Sequence, residues 1–123
     1  MSLFRRSRTG SERVTAQDAA ARTGHGGDAT LLDVREPYEW QAGHAPDAVH
    51  VPLSALAAGA GLPGTAQARP VVVICRSGNR SRRAARLLQA RGVEAVDVIG
   101  GMQDWAAAGL PVVDARGRNG SVA

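Results

Sequence analysis

The side chain best suited to covalent chemistry in this sequence belongs to its single cysteine, Cys75. It follows the apolar run 70–74, which predicts a buried strand, and precedes a predicted helix from about Ser81 to Arg91. Thiolates are favoured at helix N-termini and near arginine side chains, and both surround this position. A lone cysteine is more often a small buried hydrophobe, but this context predicts a nucleophile.

The loop after Cys75 has the composition of an anion-binding cradle. Gly78 allows the chain to turn back, so that the N–H groups of the loop and of the helix N-terminus converge on one spot. Four residues separate Cys75 from Arg80. That spacing predicts a tight bowl, sized for one extra sulfur atom, whereas one more residue would make room for a phosphoryl group. The loop therefore favours a persulfide over a phosphoenzyme.

The rest of the chain predicts the elements that hold this loop. Predicted strands alternate with predicted helices, which is typical of a mainly parallel sheet covered on both faces. In such sheets ligands bind outside the carboxyl ends of the strands, and that edge carries both 33–36 and 75–80. The five predicted strands are 13–14, 30–34, 48–51, 70–74 and 94–99.

Composition and charge place limits on the function. The net charge is +4, but residues 14–113 hold nine arginines and nine acidic residues, so the excess belongs to the two ends. A neutral core with few aromatic residues argues against nucleic-acid binding. No apolar run is long enough to span a membrane, and residues 1–8 lack the apolar core of a secretory signal. With one cysteine and no internal disulfide, we expect a cytoplasmic protein.

The chain resembles the single-domain rhodanese family, the thiosulfate sulfurtransferases, over roughly residues 13–113. We therefore expect one domain at 13–113, a flexible basic tail at 1–12 and a flexible tail at 114–123. Four stretches carry the resemblance, namely the Asp-Val-Arg motif at 32–36, the segment 43–52, the active loop 75–81, and Gly100-Gly101-Met102 with Trp105 and 109–112.

The resemblance implies both a fold and a reaction. The fold is a three-layer α/β/α arrangement with a mainly parallel five-stranded central sheet. In the reaction, the Cys75 thiolate attacks the outer sulfur of a donor such as thiosulfate, and the Cys75 persulfide then passes sulfur to cyanide, a thiol or a protein acceptor. No metal or organic cofactor is needed. The loop residues implied to hold the persulfide or the anionic donor are Arg76, Ser77, Gly78, Asn79, Arg80 and Ser81.

Other polar residues carry weaker expectations. Asp33 and Arg35 are supporting residues, expected to form a structural ion pair at a strand end. His44 is expected to orient backbone beside a turn. Asp47 stands where the family usually has glycine, so its turn requires either type I geometry or a left-handed Asp. His50 stands where a small amide is frequent.

Two other functions compete with a sulfurtransferase. One is a non-turnover carrier or docking module that relays sulfur to a partner, since the chain has no second thiol to resolve a persulfide. The other is a phosphatase of the cysteine-loop type, which the short loop disfavours. The sequence names neither the physiological donor nor the acceptor.

Overall fold

The computed structural model describes residues 13–123, and the predicted N-terminal tail lies outside them. Five strands and six helices lie within this described range, and they alternate except where α4 directly follows α3. The strands are β1 (Arg13–Val14), β2 (Thr30–Asp33), β3 (Val49–His50), β4 (Val71–Ile74) and β5 (Ala95–Val98). The helices are α1 (Ala16–Thr23), α2 (Pro37–Ala42), α3 (Leu53–Ala57), α4 (Gly64–Gln67), α5 (Asn79–Ala90) and α6 (Gly101–Ala107).

The strands form one sheet in the order β1-β5-β4-β2-β3, and every pairing is parallel. Parallel strands joined by helices place all their carboxyl ends at one edge. β4 is the central strand, and its neighbours β2 and β5 are bonded along its length. The loop that follows β4 therefore lies in the middle of the functional edge.

Alternation along the buried strands divides the core in two. On β4, Val72 and Ile74 belong to the cluster that includes residues of α1 and α6, whereas Val71 and Val73 belong to the cluster that includes α3 and α5. The predicted three-layer α/β/α architecture with a five-stranded sheet is confirmed, and the sheet is wholly parallel. Cys75 continues the α5 side of β4.

Local signals set several element boundaries. The Thr15 hydroxyl accepts a hydrogen bond from the Asp18 N–H and caps α1, as its sequence pattern predicts. Pro37 opens α2 at the position where its missing N–H is tolerated. The turn before β3 has an Ala48 N–H bonded to the Ala45 carbonyl. Asp47 in that turn does not have a positive φ, which excludes the left-handed alternative.

Two segments contain local structure that their sequences do not predict. Three glycines and one proline predict a surface loop over 59–69, and this segment contains the single-turn helix α4. Residues 114–123, expected as a flexible tail, fold back as a short antiparallel turn in which Val113 bridges both His44 and Asn119. The Asp114 carboxylate accepts from the N–H groups of Arg116 and Arg118, and this local turn is weakly encoded in sequence.

Candidate active site

Cys75 lies at the junction of β4 and α5, and its side chain is buried. Gly78 has φ 102°, a left-handed conformation that suits glycine, and it serves as the N-cap of α5. The helix begins at Asn79, two residues earlier than the sequence predicts. Arg80 and Ser81 therefore belong to its first turn, where backbone N–H groups have no partner within the helix.

The sulfur of Cys75 is the point on which these groups converge. It accepts a hydrogen bond from the Gly78 N–H at 3.1 Å and another from the Ser81 N–H at 3.2 Å. Both donors belong to the loop and to the positive end of the α5 dipole. Such an array stabilises negative charge on sulfur, whether on a thiolate or on the inner sulfur of a persulfide.

The N-terminus of α6 binds the backbone carbonyls at the start of the loop. The carbonyls of Cys75 and Arg76 accept from the N–H groups of Met102 and Gln103, at 2.7 and 3.0 Å. Gly101 makes this approach possible, because a Cβ at that position would lie 2.3 Å from the Cys75 carbonyl oxygen. Gly100 and Gly101 both have positive φ, so the double glycine is required by backbone geometry.

Arg80 is held by an acidic residue of α2. Its guanidinium forms a two-pronged ion pair with the buried Glu39 carboxylate, with distances of 2.6 and 2.8 Å. The hydrogen bonds from Arg80 lower the pKa of Glu39 below its ordinary value, against the opposing effect of burial. The same hydrogen bonds raise the pKa of Arg80. The pair thus anchors the loop to α2. It also neutralises the positive charge of Arg80, which was expected from the sequence to attract the anionic donor.

The remaining loop residues face solvent. Arg76, Ser77 and Asn79 are exposed, and the Arg76 Nε donates to the Ala123 carbonyl at 2.7 Å. Of the two loop arginines, Arg76 is therefore the more accessible to an approaching anion. The arginines Arg82, Arg83 and Arg86 are also exposed along α5, as expected for a solvated helix face.

Asp33 and Arg35 form a fully buried ion pair at the end of β2. Two guanidinium nitrogens of Arg35 bond to the Asp33 carboxylate at 2.8 to 3.1 Å, and Nη2 also donates to the Gly43 carbonyl at 2.7 Å. These bonds connect the end of β2 to the turn that follows α2. The geometry is that of the structural ion pair expected from the sequence.

The two histidines near α2 bind backbone carbonyls. His44 Nδ1 lies 2.6 Å from the Trp40 carbonyl, and His50 Nε2 lies 2.7 Å from the Arg35 carbonyl. The Trp40 ring stacks against both imidazoles. His44 thus orients backbone, as expected. Within residues 13–123, no group of three or more His, Cys, Asp or Glu side chains is arranged to hold a metal ion.

Three residues that contact the loop were not predicted from the sequence, namely Arg13, Glu39 and Asp97. Asp97 is a buried carboxylate between Val96 and Val98, and an acid inside an apolar strand was the available signal. Its Oδ2 accepts from the Ser81 hydroxyl at 2.7 Å. Arg13 and Glu39 gave no comparable signal, since their partners are distant in sequence.

Comparison with known proteins agrees with this geometry. A family model described as "Rhodanese-like domain" matches residues 15–108. The chain belongs to the rhodanese-like family. This is a sulfurtransferase superfamily, and the matched range includes the loop Cys75–Ser81. As a rhodanese-like domain, the chain has the expected sheet and the expected cysteine loop at its centre.

Individual relatives support the same assignment. The chain is 43% identical over 84 residues to an uncharacterized protein of Synechocystis, and 36% identical over 101 residues to a maize protein named adenylyltransferase and sulfurtransferase MOCS3-1. The alignments include 68% and 77% of this chain but only 46% and 22% of those relatives. A crystal structure of a rhodanese-related protein from Thermoplasma volcanium has a TM-score of 0.70 and 33% identity, covering 83% of this chain and 97% of that one.

The helices within residues 13–123 are each too short or too polar to cross a membrane. The longest, α5, has 12 residues and an arginine-rich outer face.

Proposed function

We propose that this rhodanese-like domain is a sulfurtransferase that moves sulfane sulfur from thiosulfate, or from a persulfide donor, to cyanide or a thiol. The observation that carries the proposal is the Cys75 sulfur, which accepts hydrogen bonds from the Gly78 and Ser81 N–H groups at 3.1 and 3.2 Å within the loop Cys75–Ser81. These donors lie where negative charge on sulfur would develop.

The proposed reaction has two displacement steps. The Cys75 thiolate attacks the outer sulfur of thiosulfate, and the sulfur–sulfur bond of the donor breaks as sulfite leaves with the electron pair. An acceptor thiolate or cyanide then attacks the terminal sulfur of the Cys75 persulfide, and the Cys75 thiolate is the leaving group. Both steps keep one negative charge near the loop N–H groups, and neither needs a metal or an organic cofactor.

The electrostatics of the loop bear on the donor. The Arg80 guanidinium is already paired with the Glu39 carboxylate. We therefore propose that Arg76 attracts the anionic donor. A reducing compartment such as the cytoplasm suits the proposal, since it protects a thiolate nucleophile from oxidation between transfers.

A carrier module is the second candidate. The chain has one cysteine, so no second thiol of its own can release the sulfur. The maize relative is a longer protein whose name pairs a sulfurtransferase with an adenylyltransferase. In a carrier function, the persulfide of this chain would be delivered to a partner protein instead of to a small acceptor.

Steady-state turnover distinguishes these functions. We expect thiosulfate:cyanide or thiosulfate:thiol transfer that is lost in Cys75→Ser, with no hydrolysis of an aryl phosphate. Formation of the persulfide without turnover by any small acceptor would favour the carrier. Aryl phosphate hydrolysis that depends on Cys75 would instead support a phosphatase and contradict the proposal.

A further inference from the structure

A buried hydrogen-bonded chain extends behind the Cys75 sulfur, on the side of β5. The thiol lies 3.4 Å from the Ser81 hydroxyl, in donor geometry, and that hydroxyl donates to Asp97 Oδ2 at 2.7 Å. Asp97 in turn accepts from Arg13 Nε and Nη2 at 3.0 and 2.9 Å. Cys75, Ser81 and Asp97 are all nearly inaccessible to solvent, at 1, 0 and 3% exposure.

The parallel register explains how these residues meet. Arg13 and Asp97 are direct neighbours on β1 and β5. Asp97 alternates with Val96 and Val98, which face the opposite side of the sheet, so its carboxylate faces α5 and the loop. The Arg13 Nη2 also donates to the Gly78 carbonyl at 2.8 Å. One arginine therefore fixes both the carboxylate and the N-cap of α5.

The chain of bonds has a fixed direction. The Asp97 carboxylate, paired with a guanidinium, can only accept hydrogen bonds. Ser81 has a single hydroxyl proton and must give it to Asp97, so the hydroxyl turns lone pairs toward the sulfur. A thiol S–H can donate to those lone pairs. A thiolate has no proton to donate, so its negative charge would face the lone pairs directly. The Ser81 hydroxyl thus favours the thiol form of Cys75, whereas the backbone N–H groups of Gly78 and Ser81 favour the thiolate.

We propose that Asp97, held by Arg13, is a positioning residue that keeps the Ser81 hydroxyl turned away from the sulfur. In this role Asp97 sets the pH at which Cys75 loses its proton to water and becomes a nucleophile. Without the carboxylate, the Ser81 hydroxyl can turn and become a third donor to the sulfur, beside the N–H groups of Gly78 and Ser81.

Other charged groups lie in the loop and on the elements that hold it, namely α2, α5, α6 and the end of β2. They remain in place in every variant below, so they do not account for differences among the variants. They are Arg76, Arg80, Glu39, Asp104, Asp33 and Arg35.

The direct test is the pH dependence of iodoacetamide alkylation, which reports Cys75 alone because it is the chain's single cysteine. In Asp97→Asn we expect the midpoint of the alkylation profile to fall by about one pH unit, as a hydrogen bond to a charged group would produce. In a Ser81→Ala background, the same substitution should produce at most about half of that shift, because no hydroxyl is left to turn.

Two further variants sharpen the test. Arg13→Gln leaves the carboxylate on the hydroxyl but removes its counter-charge, so the midpoint should rise by about half a unit. General loosening of the loop would shift the alkylation midpoints of Asp97→Asn and Arg13→Gln in the same direction, whereas the proposal requires opposite shifts. Asp47→Asn is the matched control, since Asp47 is exposed in the turn before β3 and the substitution removes the same charge, and its profile should coincide with that of wild type.

Several results would overturn the inference. These are an unchanged or raised midpoint in Asp97→Asn, a lowered midpoint in Arg13→Gln, or an equal Asp97→Asn shift with and without the Ser81 hydroxyl. If circular dichroism shows that Asp97→Asn is unfolded, the rise in Arg13→Gln remains decisive. The inference rests on the proposed function in taking Cys75 as the nucleophile. Alkylation needs no sulfur donor, however, so its failure is distinguishable from a failure of sulfur transfer.

Discussion

Two backbone N–H groups and one hydroxyl surround the Cys75 sulfur, and none of them carries a full charge. The full charges of the loop lie farther out, on Arg76 and Arg80, and the second of these is paired with Glu39. At the residue scale, stabilisation of the sulfur and attraction of the donor therefore belong to different groups. This separation makes each of them open to an independent test.

Arg76 should govern the approach of an anionic donor. It is exposed at the start of the loop, so we expect Arg76→Ala to lower kcat/KM for thiosulfate about five- to tenfold, mostly through KM, and to weaken its dependence on salt. The measurement is steady-state transfer at two ionic strengths. Arg86→Ala, another exposed arginine farther along α5, is the control. An equal loss in both variants would show that only net charge matters.

The Glu39–Arg80 pair should make stability depend on acid pH. Since hydrogen bonds from Arg80 hold the pKa of Glu39 below its ordinary value, the ionised form is favoured in the folded state. Its stabilisation is complete above the unfolded value of about 4.3 and is lost as the pH falls through the lower folded value. Glu39→Gln should cost about 1–2 kcal/mol at neutral pH and should lose less stability on acidification.

Urea unfolding at a series of pH values measures this difference. Asp47→Asn is a suitable control, because Asp47 is exposed in a turn and its substitution should leave the acid slope of the wild type in place. Parallel curves for wild type and Glu39→Gln between pH 3 and 7 would contradict the assignment of the acid-sensitive stability to this pair.

At the element scale, the loop depends on a second helix. The first N–H groups of α6 bind the carbonyls of Cys75 and Arg76, and this contact is possible only because Gly101 has no side chain. The shape of the loop therefore depends on α6, which binds its carbonyl groups, as well as on α5, which provides N–H groups near the sulfur.

Gly101→Ala tests this dependence. The new Cβ would lie 2.3 Å from the Cys75 carbonyl oxygen, and φ is already positive, so we expect a loss of about 2–4 kcal/mol together with much lower transfer activity. Gly109→Ala is the matched control, because Gly109 has positive φ but no atom within 4 Å of the new Cβ. It should cost only about 1 kcal/mol and keep activity. Similar losses in the two variants would refute a specific contact with the loop.

The sequence predicted these elements well where a local signal was strong. The β-branched run of β4, the Thr15 cap and Pro37 each specified a boundary through their own chemistry. The partners of the loop were harder to predict, because Arg13 and Asp97 are 84 residues apart and meet only through strand order. Asp97 was visible as an acid in an apolar strand, but its partner depended on the register of the whole sheet.

At the scale of the whole molecule, the parallel sheet brings the carboxyl ends of β1, β2, β4 and β5 to one edge. The chain after Val113 packs against the turn that follows α2. The Ser121 N–H donates to the Ala42 carbonyl, and Val122 packs against the α1 and α6 side of the core. Gly43 is so close to this segment that a Cβ there would lie 2.3 Å from the Ser121 carbonyl oxygen.

Removal of residues 114–123 should therefore destabilise the domain. We expect a loss of about 1–3 kcal/mol, from hydrogen bonds to 41–42 and from exposure of the core beneath Val122. The measurement is urea unfolding of the truncated and full chains. Arg116→Ala, at the exposed tip of the turn, should stay within about 0.5 kcal/mol of wild type. Equal stability of the truncated and full chains would instead support the flexible tail expected from the sequence.

Intact mass spectrometry after incubation with thiosulfate shows whether Cys75 carries a sulfane sulfur. We expect the wild-type chain to gain the mass of one sulfur atom, cyanide to remove it, and Cys75→Ser to gain nothing. A wild-type chain without the adduct, or an equal adduct on Cys75→Ser, would exclude a Cys75 persulfide.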